Sequence, residues 1–320
     1  MLSVSIDDVQ AAANRIAKYV HQTPVLSSEQ INRIAGCELV FKCENLQKCG
    51  AFKARGAHNA LLQLTAEQLA RGVATHSSGN HGAALSYAAK QLGTAAHIVM
   101  PENTSQAKID AVKGYGGNIT FCEATMAARE QTIATIVEAT GASLIPPYDS
   151  ASIIAGQGTA ALELLSQVDY QLDALITPLG GGGLLGGTAL VGSSLSPSTR
   201  IIGAEPEGAN DGYLSFVSGE WQPQLAPNTI ADGLRSSTGK LNFQIIQALV
   251  DEIVCVSDAE IINAMKLIWS RMKLVIEPSS ATVLAAVLKN SDRFSGQKIG
   301  LILSGGNVDL NHLPWMQTNA

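Results

Sequence analysis

The chain is poor in charge. Lys, Arg, Asp and Glu make up 15% of its 320 residues and the net charge is −6, which argues against nucleic acid or an anionic membrane as a main partner, since both select clustered Lys and Arg. Long apolar runs are missing as well: no uninterrupted stretch reaches the roughly 20 residues of a membrane span. Met1 to Asp8 lacks the basic start and apolar core of an export signal. The expectation is a cytoplasmic protein that meets small molecules. Cysteine is scarce and odd in number. Cys37, Cys43, Cys49, Cys122 and Cys255 lack the close CxxC pairing of zinc sites and read as reduced structural thiols. No tandem repeat or low-complexity tract appears, and 46% hydrophobic content fits a compact protein rather than a disordered one.

What the chain does have is alternation. Ser5 and Asp8 form a capping box for a helix predicted to run to Val20, Thr23-Pro24 stops it, and a short helix starts near Ser28. A strand over 38–44 feeds a glycine-bearing loop and a helix to about Leu64, with another helix from Thr65. From Gly72 strands are predicted at 73–76, 95–100, 118–122 and 142–145, separated by helices at 81–92, 105–113 and 125–140. Pro146 to Ser150 interrupts this pattern and suggests a domain junction. It then resumes with a helix from about Gln157, a strand at 174–177, a helix at 184–191 and a strand at 201–205. Residues 211–242 read as loop-rich. A strand at 253–256, a helix capped by Ser257 and Glu260, a helix at 279–289 and a strand at 298–303 complete the chain. Strands alternating with helices at this spacing predict an α/β protein with parallel sheets.

The chemistry gathers where strands turn into helices. Lys53, in Cys49-Gly50-Ala51-Phe52-Lys53-Ala54-Arg55-Gly56-Ala57, stands at a loop-to-helix junction, where the macrodipole favours anions. We read it as a Schiff-base lysine held there by some other interaction. Gly180-Gly181-Gly182-Gly183 follows a strand and opens a helix, so its amides suit a phosphate. It lacks the GK[ST] ending of a P-loop. A rival remains open, because Gly181 to Gly186 also matches GxGxxG and Glu205 ends the next strand, roughly where a dinucleotide site places its acidic residue. Ser77-Ser78-Gly79-Asn80-His81-Gly82 offers hydroxyls and amides for a carboxylate, and Ser304-Gly305-Gly306-Asn307 repeats the arrangement at a third strand end.

Together with Phe52-Lys53-x-Arg55-Gly56-Ala57 and Ile154-Ala155-Gly156-Gln157-Gly158-Thr159, these motifs resemble, in order and over nearly the whole chain, the fold-type II pyridoxal-phosphate enzymes. The resemblance is to the serine racemase, serine/threonine dehydratase and threo-3-hydroxyaspartate dehydratase family. It implies two open twisted-sheet α/β domains, residues 1–70 with 150–320 and residues 71–149, and the cofactor pyridoxal 5'-phosphate between them. It implies that Lys53 carries the cofactor, Phe52 packs on its ring, Asn80 bonds the ring hydroxyl, Gly180, Gly181, Gly182, Gly183 and Leu184 take the phosphate, and Ser304 faces the pyridine nitrogen. Ser77, Ser78, Gly79, Asn80 and His81 would receive the substrate, with Arg129 and Ser236 near its side chain. Glu205, the backbone oxygen of Ala209, and Asp211 match a divalent-cation site, for magnesium or alternatively calcium or manganese.

The implied activity is β-elimination from serine, threonine or threo-3-hydroxyaspartate to a 2-oxo acid and ammonia, racemisation, or both. Lys53 would act on one face and Ser78 on the other. Pro147-Tyr148-Asp149 resembles the dehydratases rather than the mammalian racemase. A homodimer and a nucleotide effector are further implications. Two other classes stand beside this reading: a nicotinamide-dependent oxidoreductase using the glycine-rich loop, and a non-catalytic binding protein on the same fold.

Overall fold

The computed structural model describes residues 2–316. Ten strands, β1 Val25–Leu26, β2 Glu38–Cys43, β3 Val73–His76, β4 Ala96–Pro101, β5 Asn118–Cys122, β6 Ser143–Leu144, β7 Ala174–Pro178, β8 Arg200–Pro206, β9 Glu252–Val256 and β10 Lys298–Leu303, form two sheets. The larger has the order β1-β2-β10-β7-β8-β9, the smaller β5-β4-β3-β6. Every pairing is parallel except the short β1 against β2. All five residues of β7 are buried, as expected for a strand covered by helices on both faces.

Local signals set most boundaries. Ser5 accepts from the Asp8 amide and Asp8 returns the bond, which starts the helix Ile6–Ile16. The same box recurs at Thr65 with Gln68 and at Ser257 with Glu260. The first helix stops four residues before the predicted Val20. Two further expectations are corrected. The helix predicted from Gln157 begins at Ala151, capped by Ser150. Its glycine-containing first turns gain their place from packing: a Cβ on Gly156 would lie 2.7 Å from the Gly56 Cα, so the two glycines let this helix and Lys53–Leu61 approach closely. Residues 211–242 are not all loop, because Asp211–Ser218 is helical and a helix Lys240–Leu249 begins within them.

Helix Lys53–Leu61 packs on both Ala151–Gln167 of the larger sheet's cover and Asn80–Leu92 of the smaller one's. It therefore stands between the two sheets. Among the described residues no helix is long and apolar enough to cross a membrane.

Candidate active site

Ligands of open α/β sheets bind outside the carboxyl ends of the strands, and here several such ends converge. β3 delivers Ser77 to Asn80, β6 leads to Pro147 and Tyr148, β7 leads to the glycine run, and β10 delivers Ser304 to Asn307. Residues from all four segments line one cavity of about 530 Å³, together with Lys53 from the helix that stands between the sheets.

Lys53 Nζ donates to the Pro147 carbonyl at 2.7 Å and lies 5.0 Å from the Phe52 ring centroid and 5.9 Å from that of Tyr148. Burial pulls its pKa from 10.5 down to about 7, against the opposing attraction of the Glu277 carboxylate. The interaction that holds a lysine at this helix start is therefore a backbone carbonyl, and near pH 7 a large share of the amine is unprotonated. That makes it a nucleophile and a base at ordinary pH.

Beside it, Asn80 is locked. Its Nδ2 donates to Glu277 Oε1 at 2.9 Å and Oε2 at 3.0 Å, and its Oδ1 accepts from Asn307 Nδ2 at 2.8 Å. Glu277, buried next to Asp232, has its carboxyl pushed up to about 7, chiefly by desolvation. Ser304 is buried with its Oγ 3.1 Å from Ser280 Oγ. The Phe52 amide donates to the Ser304 carbonyl, which ties the Lys53 loop to the end of β10.

The glycine run has free donors. Gly182 has φ +88°, and a Cβ on Gly181 would meet the Tyr148 ring at 2.3 Å, so side chains are excluded at both positions. The amides of Gly181, Gly182 and Gly183 have no hydrogen-bond partner among the described residues. They stand at the N-terminus of helix Gly183–Leu195, an arrangement that suits an anion.

The profile of the family described as "Pyridoxal-phosphate dependent enzyme" matches residues 16–305. The chain belongs to the pyridoxal-phosphate dependent enzymes. The protein is 51% identical over 317 residues to the serine racemase of Dictyostelium discoideum, covering 98% of each chain. It is 50% identical over 309 residues to the beta-hydroxyaspartate dehydratase of Paracoccus denitrificans, covering 97% of this chain and 98% of that one. The crystal structure of the Dictyostelium discoideum serine racemase aligns with a TM-score of 0.92 at 52% identity over 96% of this chain and 99% of that chain. The expected fold-type II architecture is thus the one this pyridoxal-phosphate enzyme has, and the dinucleotide reading of GxGxxG lapses.

The cavity of this pyridoxal-phosphate enzyme fits its cofactor: a near-neutral lysine, an amide fixed in orientation, a buried serine hydroxyl and a row of free amides share one wall system. Ser77, Ser78, Gly79, His81, Leu184, Arg129 and Ser236 also line it. Arg129 Nε is buried without a partner, whereas the Ser236 side chain interacts with Tyr148 and opposes the rise that burial gives its pKa. His81 is a neutral wall residue, since burial and the nearby Lys53 lower its pKa to about 3 and its Nε2 faces the Ile145 carbonyl at 3.2 Å.

Glu205, Ala209 and Asp211 lie outside this cavity. Glu205, the penultimate residue of β8, accepts from the amides of Gly212 at 3.0 Å and Tyr213 at 2.7 Å, while Asp211 accepts from the Thr238 amide at 2.8 Å. Both carboxyls are pushed up by desolvation, and Asp211 raises Glu205 further. Neither has an ion-pair partner among the described residues. Two buried carboxyls that repel each other suit a cation, although among the described residues no three His, Cys, Asp or Glu gather.

Sequence reasoning missed Glu277 and Asn242. Glu277 precedes Pro278 at the start of helix Pro278–Lys289, so the Glu-Pro pair was the available signal; Asn242 had none.

Proposed function

We propose that the protein is a dehydratase of hydroxy amino acids, releasing a 2-oxo acid and ammonia from serine, threonine or threo-3-hydroxyaspartate, and that the same pocket supports racemisation. The observation that carries this is the buried, near-neutral amine of Lys53 in the cavity that Ser78 also lines. The racemase and dehydratase relatives support it. Lys53, Asn80, Gly180 to Gly183, Leu184 and Ser304 would hold pyridoxal 5'-phosphate, with Phe52 against its ring. When bound, the cofactor supplies an electron sink for the carbanion at Cα.

The chain's own residues do the rest. The amides and hydroxyls of Ser77 to Asn80 receive the substrate carboxylate. Lys53 Nζ accepts the Cα proton from one face, and Ser78 Oγ serves the opposite face, which permits reprotonation there. Arg129, with an unpaired buried Nε–H, takes a second carboxylate when the substrate has one. Glu205, the Ala209 carbonyl and Asp211 hold a divalent cation, magnesium before calcium or manganese. Residues 71–149 form the smaller domain, and the functional unit is a homodimer.

Borohydride reduction of the yellow holoenzyme followed by peptide mapping tests the assignment. The cofactor should be fixed on Lys53, and a turnover screen over L- and D-serine, threonine and threo-3-hydroxyaspartate should show 2-oxo acid release. Labelling of another lysine, or no turnover of any of these, rejects the reading.

A further inference from the structure

The carbonyls of the glycine run are held from behind. Thr238 Oγ1 donates to the Gly180 carbonyl at 3.2 Å. The Gly181 carbonyl accepts from Asn242 Nδ2 at 2.8 Å and from the Gly239 amide at 3.1 Å. In a trans peptide the C=O of one residue and the N–H of the next point in opposite directions. Drawing the Gly180 and Gly181 carbonyls toward residues 238–242 therefore turns the Gly181 and Gly182 amides the other way.

Asn242 is fully buried, and its amide has one workable orientation. Nδ2 donates both to Gly181 O and, at 3.2 Å, to Tyr148 O, so a flipped amide would set an oxygen against two carbonyls. Its Oδ1 has no partner, which leaves the donor side as the reason for an asparagine at this position. The position itself is fixed by Asp149, whose Oδ1 accepts from the amides of Leu241 at 3.1 Å and Asn242 at 3.2 Å and so anchors the first turn of helix Lys240–Leu249. Gly182 and Gly186 keep the approach open: a Cβ on Gly182 would lie 2.8 Å from Asn242 Cβ, and one on Gly186 3.2 Å from its Oδ1.

We propose that Asn242 is a positioning residue for the cofactor phosphate, its amide setting the Gly181 peptide plane so that the loop's N–H groups face the phosphate, and joining that loop to Tyr148. Tyr148 follows the residue whose carbonyl holds Lys53 Nζ, so one side chain links the phosphate loop to the segment that anchors the cofactor lysine. The inference rests on the cofactor reading, and Lys53 labelling by borohydride tests that reading separately.

The test uses Asn242→Leu, which fills the site without a donor, Asn242→Ala, and Asn242→Thr, which restores one donor. Apoenzyme of each is titrated with pyridoxal 5'-phosphate and with pyridoxal, and the phosphorus resonance of the bound phosphate is recorded. Losing a hydrogen bond that sets the loop should weaken pyridoxal 5'-phosphate about tenfold in the Leu and Ala variants and pyridoxal less than about twofold, with partial recovery in Thr. The phosphorus signal should move toward that of the free cofactor. Equal weakening of both ligands, or unchanged phosphate-ester affinity in variants with native circular dichroism, overturns the proposal. Should none of the variants fold, a crystal structure of the wild-type holoenzyme decides: a Gly181 carbonyl bonded to Asn242 supports the proposal, and one turned to the phosphate overturns it.

Discussion

Lys53 owes its chemistry to burial more than to the charge beside it, since Glu277 pulls its pKa up and desolvation still wins. Yet one amine serves one face of a planar carbanion. If Ser78 serves the other, Ser78→Ala should abolish racemisation and elimination from D-substrates while sparing elimination from L-substrates. A positioned acid or base contributes roughly 10² to 10⁴-fold, so the selective loss should be about 3 to 5 kcal/mol in barrier. Steady-state rates on both enantiomers check it, and parallel loss in both, mainly through KM, leaves Ser78 a carboxylate binder. Glu277 makes a second prediction, in the apoenzyme. Its folded pKa of about 7 lies above the ordinary 4.5, so between those values the folded chain keeps a proton that the unfolded chain has released, and stability falls as pH rises. Lys53 acts in the next window: from about 7 to 10.5 the unfolded chain holds the extra proton, and stability recovers as pH rises. Around Glu277, Asp232 raises its pKa further while Asn80, Lys108 and the Asn307 backbone lower it, and its own charge acts on Lys53. The melting temperature of Glu277→Gln minus that of wild type should climb between pH 4.5 and 7 and level off above. A flat difference rules this out. Lys53 and the strand-end loops were legible in sequence because glycine, serine and asparagine mark turns and caps locally. Glu277 and Asn242 were not, because a carboxylate or amide earns its role only from partners such as Asn80 or Gly181, distant along the chain.

Helix Lys53–Leu61 carries its lysine on an ionic anchor. Arg55, fully buried, binds Glu44 through Nε at 2.7 Å and Nη2 at 2.8 Å and Glu163 through Nη1 at 2.7 Å. Lys42 Nζ meets Glu163 at 2.7 Å and Thr23 Oγ1 donates to Glu44 at 2.6 Å. Two cations and two carboxylates cancel, and burial is tolerated for that reason. Removing one partner strands the others: Glu44→Ala should cost roughly 3 to 5 kcal/mol, read by urea denaturation. Glu44→Ala combined with Arg55→Met should cost less than the sum of the single changes, and strict additivity would show that the pair does not couple. Arg55 was visible in sequence only as part of a motif. Its partners come from the turn after β2, helix Ala151–Gln167 and the His21 carbonyl, which only the assembled fold brings together. The misplaced start of that helix differs, because the Ser150 cap that opens it is a local signal and only the Gly56 and Gly156 contact beyond it is tertiary.

At the scale of the whole molecule, the proposed cation is the point at which β8 and the helix Asp211–Ser218 after it are tied to the cofactor loop. Glu205 lies next to the end of β8, Asp211 opens helix Asp211–Ser218, the Thr238 amide donates to Asp211, and Thr238 Oγ1 donates to the Gly180 carbonyl. A divalent ion on Glu205, Asp211 and the Ala209 carbonyl would neutralise two buried carboxyls that raise each other's cost, and would brace the segment that holds the glycine run from behind. A ligand that binds only the folded state stabilises it by about 2.7 kcal/mol at a hundredfold excess over its dissociation constant. Holoenzyme treated with EDTA should therefore melt several degrees lower, and magnesium added in excess should restore it. Calcium and manganese rank the ion's identity, and sodium controls for ionic strength. Glu205→Gln, which keeps the size and one acceptor oxygen but removes the charge, should melt at one temperature with or without magnesium. The bracing adds a second readout, since pyridoxal 5'-phosphate should dissociate faster from the EDTA-treated enzyme than from the magnesium form. Melting curves of wild type that coincide in EDTA and in magnesium would remove the cation, and equal dissociation rates with a shifted melt would confine it to holding the fold.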